Sequence, residues 1–410
     1  MARKALLFII LFAIAGGAYY FAAEYFGGQD GAPLPPGGTT EPPPDPLEEI
    51  IAGLTPEERI GQMVIAGFEG YAVSDSVRVM IEEHHIGGFI LFGKNISSAG
   101  QLRELLNGLK AANAGSRIPL FLSVDEEGGR VSRMPPELEK LPASKAIGET
   151  DNPDFAYAIG SLLAQELKAF GFNLDFAPVL DINSNPRNPV IGDRAYGADA
   201  EIVSRLGVRL MQGLRDGGII PVGKHFPGHG DTAEDSHIGL PVVQSDLVSL
   251  QSWELVPFVA AIGNNAEAIM AAHILLPKVD PDFPASLSQR IINGILREDL
   301  RFDGVVVTDD LTMGAIAENY AIGEAAIKAV QAGADIVLVC HDDAQIAAAV
   351  RALREAAAGG RLSEERIAAS VYRILRLKEM YQLRDSPVDA VDTDSLNNAI
   401  RDVLDRYAGE

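Results

Sequence analysis

Residues 335–357, DIVLVCHDDAQIAAAVRALREAA, contain one complete unit of alternating structure. After Asp335, residues 336–340 form an apolar run rich in β-branched side chains, which is typical of a strand buried on both faces. After the polar residues 341–343, apolar side chains recur at helical spacing through residues 344–357. The stretch therefore predicts a buried strand followed by a helix.

The same strand-then-helix unit recurs along the chain. Eight short apolar runs are present, at Gln62–Phe68, Gly88–Phe92, Leu120–Val124, Asn173–Leu180, Ile219–Gly223, Ala268–Ala272, Gly304–Thr308 and Asp335–Val339. The helical segments between them include Ser98–Ala112, Phe155–Phe170, Ala200–Leu214, Gln289–Leu300 and Ala344–Ala357. Eight such units over roughly 330 residues predict an α/β fold, a single (β/α)8 barrel of TIM type.

A doubly wound open sheet is the alternative arrangement of these units. Nucleotide-binding sheets of that kind carry GxGxxG after the first strand or a GxxxxGK[ST] loop, and the sequence has neither. The barrel is therefore favoured. In a barrel, functional side chains lie on the loops that follow the carboxyl ends of the strands.

Composition excludes several classes of protein. The 410 residues include 34 Lys and Arg against 57 Asp and Glu, for a net charge of −23, and no basic run exceeds Arg3-Lys4. Nucleic-acid binding needs clustered positive charge, so a nucleic-acid partner is disfavoured. Cys340 is the single cysteine, which excludes an intrachain disulfide, a CxxC redox pair and a Cys-rich zinc site.

The N-terminal region predicts an exported protein. Arg3-Lys4 precede an uncharged apolar stretch, Ala5–Ala23, which is close to the length that spans a bilayer. We expect residues 1–26 to be a membrane anchor, with a cleaved signal as the alternative, and the barrel to lie outside the cytoplasm. Residues 27–46, of which 12 are Gly or Pro, predict a flexible linker. The barrel is expected at residues 47–385 and a docking C-terminal helix at residues 386–410.

Polar side chains follow the ends of four predicted strands. Asp125-Glu126-Glu127-Gly128-Gly129-Arg130 and Arg133 follow the third run, and Asp181, Arg187, Asp193 and Arg194 follow the fourth. Lys224 and His225 follow the fifth run, and Asp309-Asp310 follow the seventh. Because strand ends converge at one rim of a barrel, these groups predict a single site there.

Each group also has a purely structural explanation. Asp309 would serve as the N-cap of a helix starting at Leu311. Asp125 and Glu126 would be solvated charge, although the two glycines after them suit close approach of a ligand to the backbone. Arg194 and Lys224 would be surface or ion-pair residues. His273, at the end of an apolar run, is best explained as a hydrogen-bonded histidine near the core.

The segment Gly223–Pro241, GKHFPGHGDTAEDSHIGLP, contains three of the chain's seven histidines. One explanation is a metal site formed by His225, His229, His237 and nearby carboxylates. The other is a general acid/base in which Asp235 orients His237 and fixes its tautomer. The spacing of the residues is compatible with both.

Four ordered motifs resemble the signatures of glycoside hydrolase family 3, most closely its NagZ-type β-N-acetylglucosaminidases. They are VDEEGGRVSR at 124–133, KHFPGHG at 224–230, DSH at 235–237 and VTDDLTMGAI at 307–316. The likeness extends from Leu54 to about Leu383. It implies a one-domain barrel, retaining hydrolysis through a covalent glycosyl-enzyme, and neither a cofactor nor a metal.

The resemblance also implies a role for each matching residue. Asp309 would be the nucleophile, and His237, oriented by Asp235, would be the acid/base. The residues that bind the hydroxyl and acetamido groups of the sugar would be Asp125, Arg133, Arg194, Lys224 and His225. The carbohydrate substrate would contain N-acetylglucosamine and come from peptidoglycan, its released fragments or chitin-derived oligosaccharides. A phosphorylase of the same family is the nearest alternative, ahead of a metal-dependent barrel hydrolase and a glycan-binding protein without activity.

Overall fold

The computed structural model describes residues 45–232, 236 and 239–407. Its strands are β1 Val64–Ala66, β2 Gly88–Leu91, β3 Phe121–Val124, β4 Leu174–Asp175, β5 Ile220–Phe226, β6 Ala268–Ala271, β7 Val305–Asp310 and β8 Ile336–Val339. Each strand pairs in parallel with the next, and β8 pairs with β1 to close the barrel. The predicted barrel is therefore confirmed.

Helices connect the strands and surround the barrel. Their bounds are α1 Pro46–Ala52, α2 Pro56–Gln62, α3 Asp75–Glu82, α4 Ala99–Ala112, α5 Ser144–Thr150, α6 Pro153–Phe170, α7 Ala200–Asp216, α8 Leu247–Ser252, α9 Val256–Gly263, α10 Gly314–Ala317, α11 Ile322–Ala332, α12 Asp343–Ala358, α13 Glu364–Met380 and α14 Thr393–Tyr407. Residues Arg290–Asp299, between β6 and β7, form a π-helical segment. Its place matches the predicted helix at 289–300.

Local sequence explains where the long helices begin and end. The side chain of Asn152 caps α6 by accepting from the backbone N–H groups of Asp154 and Phe155, at 3.0 and 3.2 Å. Pro153, at the first helical position, has no N–H that would need a partner. Gly171 ends the helix in a left-handed conformation, with φ 100°, which favours glycine.

The interior of the barrel is apolar and is closed at the amino ends of the strands. Phe121 is fully buried, and the ammonium group of Lys378 lies 4.4 Å from the centroid of its ring. Lys378 of α13 donates to Gln62 Oε1 and to the carbonyls of Gly87 and Pro119, at 2.7–2.9 Å. Burial lowers the pKa of this lysine to about 7. The packed amino end leaves the opposite rim as the place for a functional cavity.

Two strand predictions differ from the structure. The predicted strand at 62–68 begins only at Val64, because the capping box of Thr55 and Glu58 starts a helix that runs through Gln62. The predicted strand at 173–180 forms a regular ladder only over Leu174–Asp175. Pro178, which has no N–H, interrupts the ladder there. The chain beyond it still contacts β5, since Leu180 donates to the carbonyl of Lys224.

The ends of the chain test the predicted domain limits only in part. The predicted anchor, which contains Ala5–Ala23, lies outside the described residues. Most of the predicted linker, residues 27–46, also lies outside them. Among the helices of the described part, none combines the length and apolar character needed to cross a membrane. At the other end, α14 packs on the barrel through Ile400, which is fully buried, and through Tyr407, whose ring lies 4.9 Å from that of Phe155.

Candidate active site

A cavity of about 430 Å³ opens at the carboxyl ends of the strands. Six of the predicted site residues line it, namely Asp125, Arg133, Arg194, Lys224, His225 and Asp309. They come from the loops after β3 and β4 and from β5 and β7, so the structure brings together groups that are up to 184 residues apart, from 125 to 309. Asp235 and His237 lie outside the described residues, and their roles stay predictions.

Lys224 is the centre of a buried ionic cluster on the cavity wall. Its Nζ donates to Asp125 Oδ1 at 2.6 Å and lies 2.6 Å from Glu127 Oε1. Arg194 makes a two-pronged contact with Glu127, through Nε to Oε2 at 2.8 Å and Nη2 to Oε1 at 2.7 Å. The side chains of Lys224 and Glu127 are only 1% and 3% exposed. The explanation of Lys224 and Arg194 as surface residues is therefore wrong, whereas their explanation as ion-pair residues matches the structure.

Pairing determines the ionisation of this cluster. Burial by itself opposes the charged form of Glu127, but Lys224 and Arg194 outweigh it and hold the pKa of this carboxyl well below its ordinary value. For Lys224, burial is likewise outweighed by Asp125 and Glu127, and its pKa is raised. The cluster therefore presents fixed charged donors and acceptors to the cavity over the neutral pH range.

Both Lys224 and His225 line the cavity although they are adjacent in β5. In a regular strand, successive side chains point to opposite faces. The pairing of β5 with β6 shifts register between Gly223 and Phe226, and such an irregularity redirects side chains. The peptide bonds Lys224-His225 and Phe226-Pro227 in this part of the strand are cis.

Asp181 positions two histidines that line the cavity, His225 and His229. Its Oδ2 lies 2.6 Å from His225 Nδ1, and its Oδ1 accepts from the backbone N–H of His229 at 2.6 Å and of His225 at 3.3 Å. Burial opposes ionisation of Asp181, but His225 outweighs it and the pKa is lowered. Burial, reinforced by His225, lowers the pKa of His229 to about 4, so this imidazole is neutral at physiological pH.

The described ring nitrogens do not favour the metal explanation. His225 Nε2 lies 3.3 Å from the guanidinium of Arg194, a cation that would repel a metal ion. His229 contacts Thr232 Oγ1 through Nδ1, at 2.8 Å, and Ser236 Oγ through Nε2, at 3.3 Å. Within residues 45–232, 236 and 239–407, no three His, Cys, Asp or Glu side chains are arranged to hold a metal ion.

Asp309 and Asp310 at the end of β7 have different surroundings. The Asp310 carboxylate accepts from the N–H of Thr312 and Cys340, at 2.9 and 3.0 Å, and from Thr312 Oγ1 at 2.6 Å. Asp309 lines the cavity, and its Oδ1 accepts from the N–H of Asp310 at 2.8 Å. No helix starts at Leu311, because α10 begins at Gly314 after Met313. The explanation of Asp309 as a helix cap is therefore wrong.

The loop after β3 is held by a buried carboxyl group. Glu126, 1% exposed, accepts from the N–H of Arg133 at 2.6 Å, and the solvated-charge explanation is therefore wrong for this residue. Burial raises its pKa to about 7. Gly128 and Gly129 have φ of 76° and 58°, and a Cβ on either would collide with Pro142 or Ala143. These glycines serve packing of the loop against residues 142–143.

The sequence placed Glu127 and Asp181 at the rim of the barrel but assigned neither of them a role in the site. Both follow strand ends, which is the signal that placed their neighbours there. Each of them accepts from two site residues, Glu127 from Lys224 and Arg194 and Asp181 from His225 and His229. These contacts depend on the fold. His273 matches its structural explanation, since it is fully buried with Nδ1 2.6 Å from Ser286 Oγ and Nε2 2.9 Å from the carbonyl of Asp310.

Comparison with known proteins places this site in a family. The family model described as "Glycosyl hydrolase family 3 N terminal domain" matches residues 55–377. Proteins named Beta-hexosaminidase are 39% identical in Nitrosomonas eutropha, over 67% of this chain and 79% of that protein, and 40% identical in Pseudomonas aeruginosa, over 68% and 82%.

A solved glycoside hydrolase family 3 β-N-acetylglucosaminidase from Paenibacillus sp. is 43% identical with a TM-score of 0.81, over 86% of this chain and 69% of its own. The match of the family model, residues 55–377, spans all eight strands and the described residues that line the cavity. The chain belongs to glycosyl hydrolase family 3 and is a glycosidase.

Proposed function

We propose that this glycosidase is a retaining β-N-acetylhexosaminidase that removes terminal, non-reducing β-linked N-acetylglucosamine from peptidoglycan fragments or related oligosaccharides. The names of its relatives supply the sugar class. The observation that carries the proposal is the buried cluster of Asp125, Glu127, Arg194 and Lys224 in the same cavity as Asp309.

The proposed sugar site uses fixed polar groups. Two of the three Lys224 N–H donors are directed at Asp125 and Glu127, which leaves one for a sugar hydroxyl. Asp125 accepts from hydroxyl groups, while Arg133, Arg194 and His225 complete the set of groups around the hydroxyls and the acetamide. A sugar that fills this cavity exchanges hydrogen bonds with water for hydrogen bonds that are already oriented, which favours tight and specific binding.

The proposed reaction has two steps. In the first, a carboxylate oxygen of Asp309 attacks the anomeric carbon, the bond to the glycosidic oxygen breaks, and His237 gives that oxygen its proton. In the second, neutral His237 takes a proton from water, the water oxygen attacks the anomeric carbon, and the Asp309 carboxylate leaves. Asp235 orients the imidazole in both steps. Every proton and electron pair is accounted for without a metal or cofactor.

The proposed location follows from the N-terminal sequence. Ala5–Ala23, preceded by Arg3-Lys4, would hold the enzyme at the membrane with the barrel outside the cytoplasm. An enzyme in that location meets glycans of the cell wall or of the surroundings, which is compatible with either substrate class above.

The decisive experiment traps the glycosyl-enzyme. A slow-turnover fluorinated N-acetylglucosaminide should label the peptide that contains Asp309, and fragmentation should place the label on Asp309 and not on Asp310. Asp309→Ala should lower turnover of an activated aryl N-acetylglucosaminide at least about a thousandfold, since the carboxylate itself forms the bond. Asp402→Ala, on the exposed side of α14, is the matched control and should leave turnover unchanged. A label on any other residue, or turnover by Asp309→Ala near the control, would overturn the proposal.

A further inference from the structure

The loop after β3, residues 125–133, forms one wall of the active-site cavity. Asp125, Glu127 and Arg133 line the cavity from this loop, and all three belong to the proposed sugar site. Glu126 lies between two of them in sequence but is not part of the lining, and it is only 1% exposed. Its carboxyl group is therefore buried behind the wall.

The side chain of Glu126 joins the two arms of the loop. Its Oε2 accepts from the backbone N–H of Arg133 at 2.6 Å, and the hydroxyl of Ser132 also contacts this carboxyl. Nearer the tip of the loop, the N–H of Glu127 donates to the carbonyl of Val131 at 2.9 Å. Glu126 thus extends the pairing of the two arms and fixes the backbone from which the Arg133 side chain reaches the cavity.

Asp175 holds the other side of the same residue. It is the last residue of β4 and is fully buried, and its Oδ1 accepts from the backbone N–H of Glu126 at 3.0 Å. That N–H lies between Asp125 and Glu127, the two carboxylates that contact Lys224. Asp175 therefore fixes the peptide unit that separates the two acceptors of this lysine.

The carboxyls behind the wall are held largely uncharged. Burial raises the pKa of Glu126 to about 7, and it raises the pKa values of Asp175 and of Glu166 on α6 well above the ordinary range. In the described part of the chain, Asp175 Oδ2 and Glu166 Oε1 have no hydrogen-bond partner. An uncharged carboxyl accepts an N–H through its carbonyl oxygen, as an amide does. Gln and Asn are therefore close replacements for these groups.

We infer that Asp175 and Glu126 are positioning residues for the proposed sugar site. They fix the loop backbone at two points, and this sets the spacing of the side chains that the loop directs into the cavity. Because hydrogen bonds weaken steeply when they are misaligned, a loop released at these points would bind the sugar less tightly. The inference rests on the proposed function, since it concerns the groups proposed to bind N-acetylglucosamine.

The first test uses two uncharged replacements of similar length at Glu126. Glu126→Gln keeps an acceptor for the N–H of Arg133, and Glu126→Met does not. The inhibition constant for free N-acetylglucosamine should rise at least about tenfold in Glu126→Met and stay within about threefold of wild type in Glu126→Gln. A wild-type constant in Glu126→Met, or an equal rise in both variants, would overturn the inference.

The second test repeats the comparison on β4. Asp175→Leu should raise the inhibition constant about tenfold and Asp175→Asn should not, because only Asn keeps the acceptor for the N–H of Glu126. This pair tests the inference even where Glu126→Met fails to fold. Glu166→Met is the matched control, since Glu166 is also buried but its Oε1 holds no N–H of the loop. A tenfold rise in this control would show that any change to the buried carboxyls suffices, and would overturn the inference.

The turnover number separates positioning from a general loss of structure. In Glu126→Met and Asp175→Leu, kcat for an aryl N-acetylglucosaminide should fall by a smaller factor than the inhibition constant rises, because Asp309 lies on β7 and not on this loop. A fall in kcat with a wild-type inhibition constant would indicate less folded enzyme and would contradict positioning. Failure of the wild-type enzyme to cleave this substrate would contradict the proposed function, and the inference with it.

Discussion

At the scale of single residues, Glu126 and Glu127 show how surroundings decide ionisation. The two are adjacent in sequence and both are buried. Glu127 is paired with Lys224 and Arg194, which hold its pKa well below the ordinary value. Glu126 accepts from backbone N–H groups and lies near the buried carboxyls of Asp175 and Glu166, and burial raises its pKa to about 7. The adjacent carboxyls therefore differ in charge below neutral pH.

The raised pKa of Glu126 predicts a pH-dependent stability. Below about pH 4.5, the ordinary pKa, the group is protonated in the folded and unfolded chains, and its contribution to stability is fully present. Between about pH 4.5 and 7 the unfolded chain releases the proton first, so its contribution to stability is lost progressively as the pH rises and stays lost above 7. Glu126→Gln should therefore raise the melting temperature relative to wild type more at about pH 8 than at about pH 5.

The control for this prediction is Glu104→Gln, at a carboxyl that is exposed on α4. Its effect on the melting temperature should be small at both pH values. A Glu126→Gln difference that is equal at the two values, or larger at about pH 5, would show that Glu126 is not the group with the raised pKa.

The residues of the cavity show which features of the site can be predicted from sequence. Asp125, Lys224, His225 and Asp309 were predictable because they directly follow apolar runs that predict strands, and a barrel collects strand ends at one rim. Their mutual contacts were not predictable. Glu127 acts as a shared acceptor only because Lys224 and Arg194, which are 97 and 67 residues away, reach it in the folded chain.

At the scale of elements, apolar runs located all eight strands, and local backbone chemistry set their ends. The run at 268–272 matches β6 Ala268–Ala271 almost completely. β5 extends three residues past its predicted end at Gly223, because the register shift continues the pairing to Phe226. Because of this extension, Lys224 and His225 belong to β5. The hydrophobic pattern alone predicts that the strand ends before them, at Gly223. The polar, functional end of a strand is thus where pattern reasoning is least accurate.

At the scale of the whole molecule, the N-terminal sequence predicts where the enzyme works. Full-length protein should be recovered in the membrane fraction, because Ala5–Ala23 is apolar and close to bilayer length. Protease added to intact cells with a permeabilised outer surface should degrade the barrel, since Arg3-Lys4 favour a cytoplasmic N-terminus. A variant that lacks residues 1–26 should instead be cytoplasmic and protected. Recovery of the full-length chain in the soluble cytoplasm would contradict the proposed location.

The charge of the whole molecule also bears on whether water or phosphate accepts the sugar from the glycosyl-enzyme. A histidine acid/base is neutral after it has protonated the leaving group, so it would not repel a phosphate as a carboxylate would, and phosphorolysis is the nearest competing reaction. Among the described residues that line the cavity, positive charge is not in excess. Arg130, Arg133, Arg194 and Lys224 are accompanied by Asp125, Glu127, Asp309 and Asp310. The net charge of −23 further disfavours the approach of phosphate.

Cleavage of an aryl N-acetylglucosaminide in phosphate buffer should therefore release free N-acetylglucosamine as the dominant product, in the same proportion as in a buffer without phosphate. Phosphorus NMR of the reaction mixture would reveal any sugar 1-phosphate directly, and Asp309→Ala is the control for product formed without the proposed nucleophile. If the 1-phosphate dominated, or if the rate of the second step increased in proportion to phosphate concentration, the enzyme would be a phosphorylase.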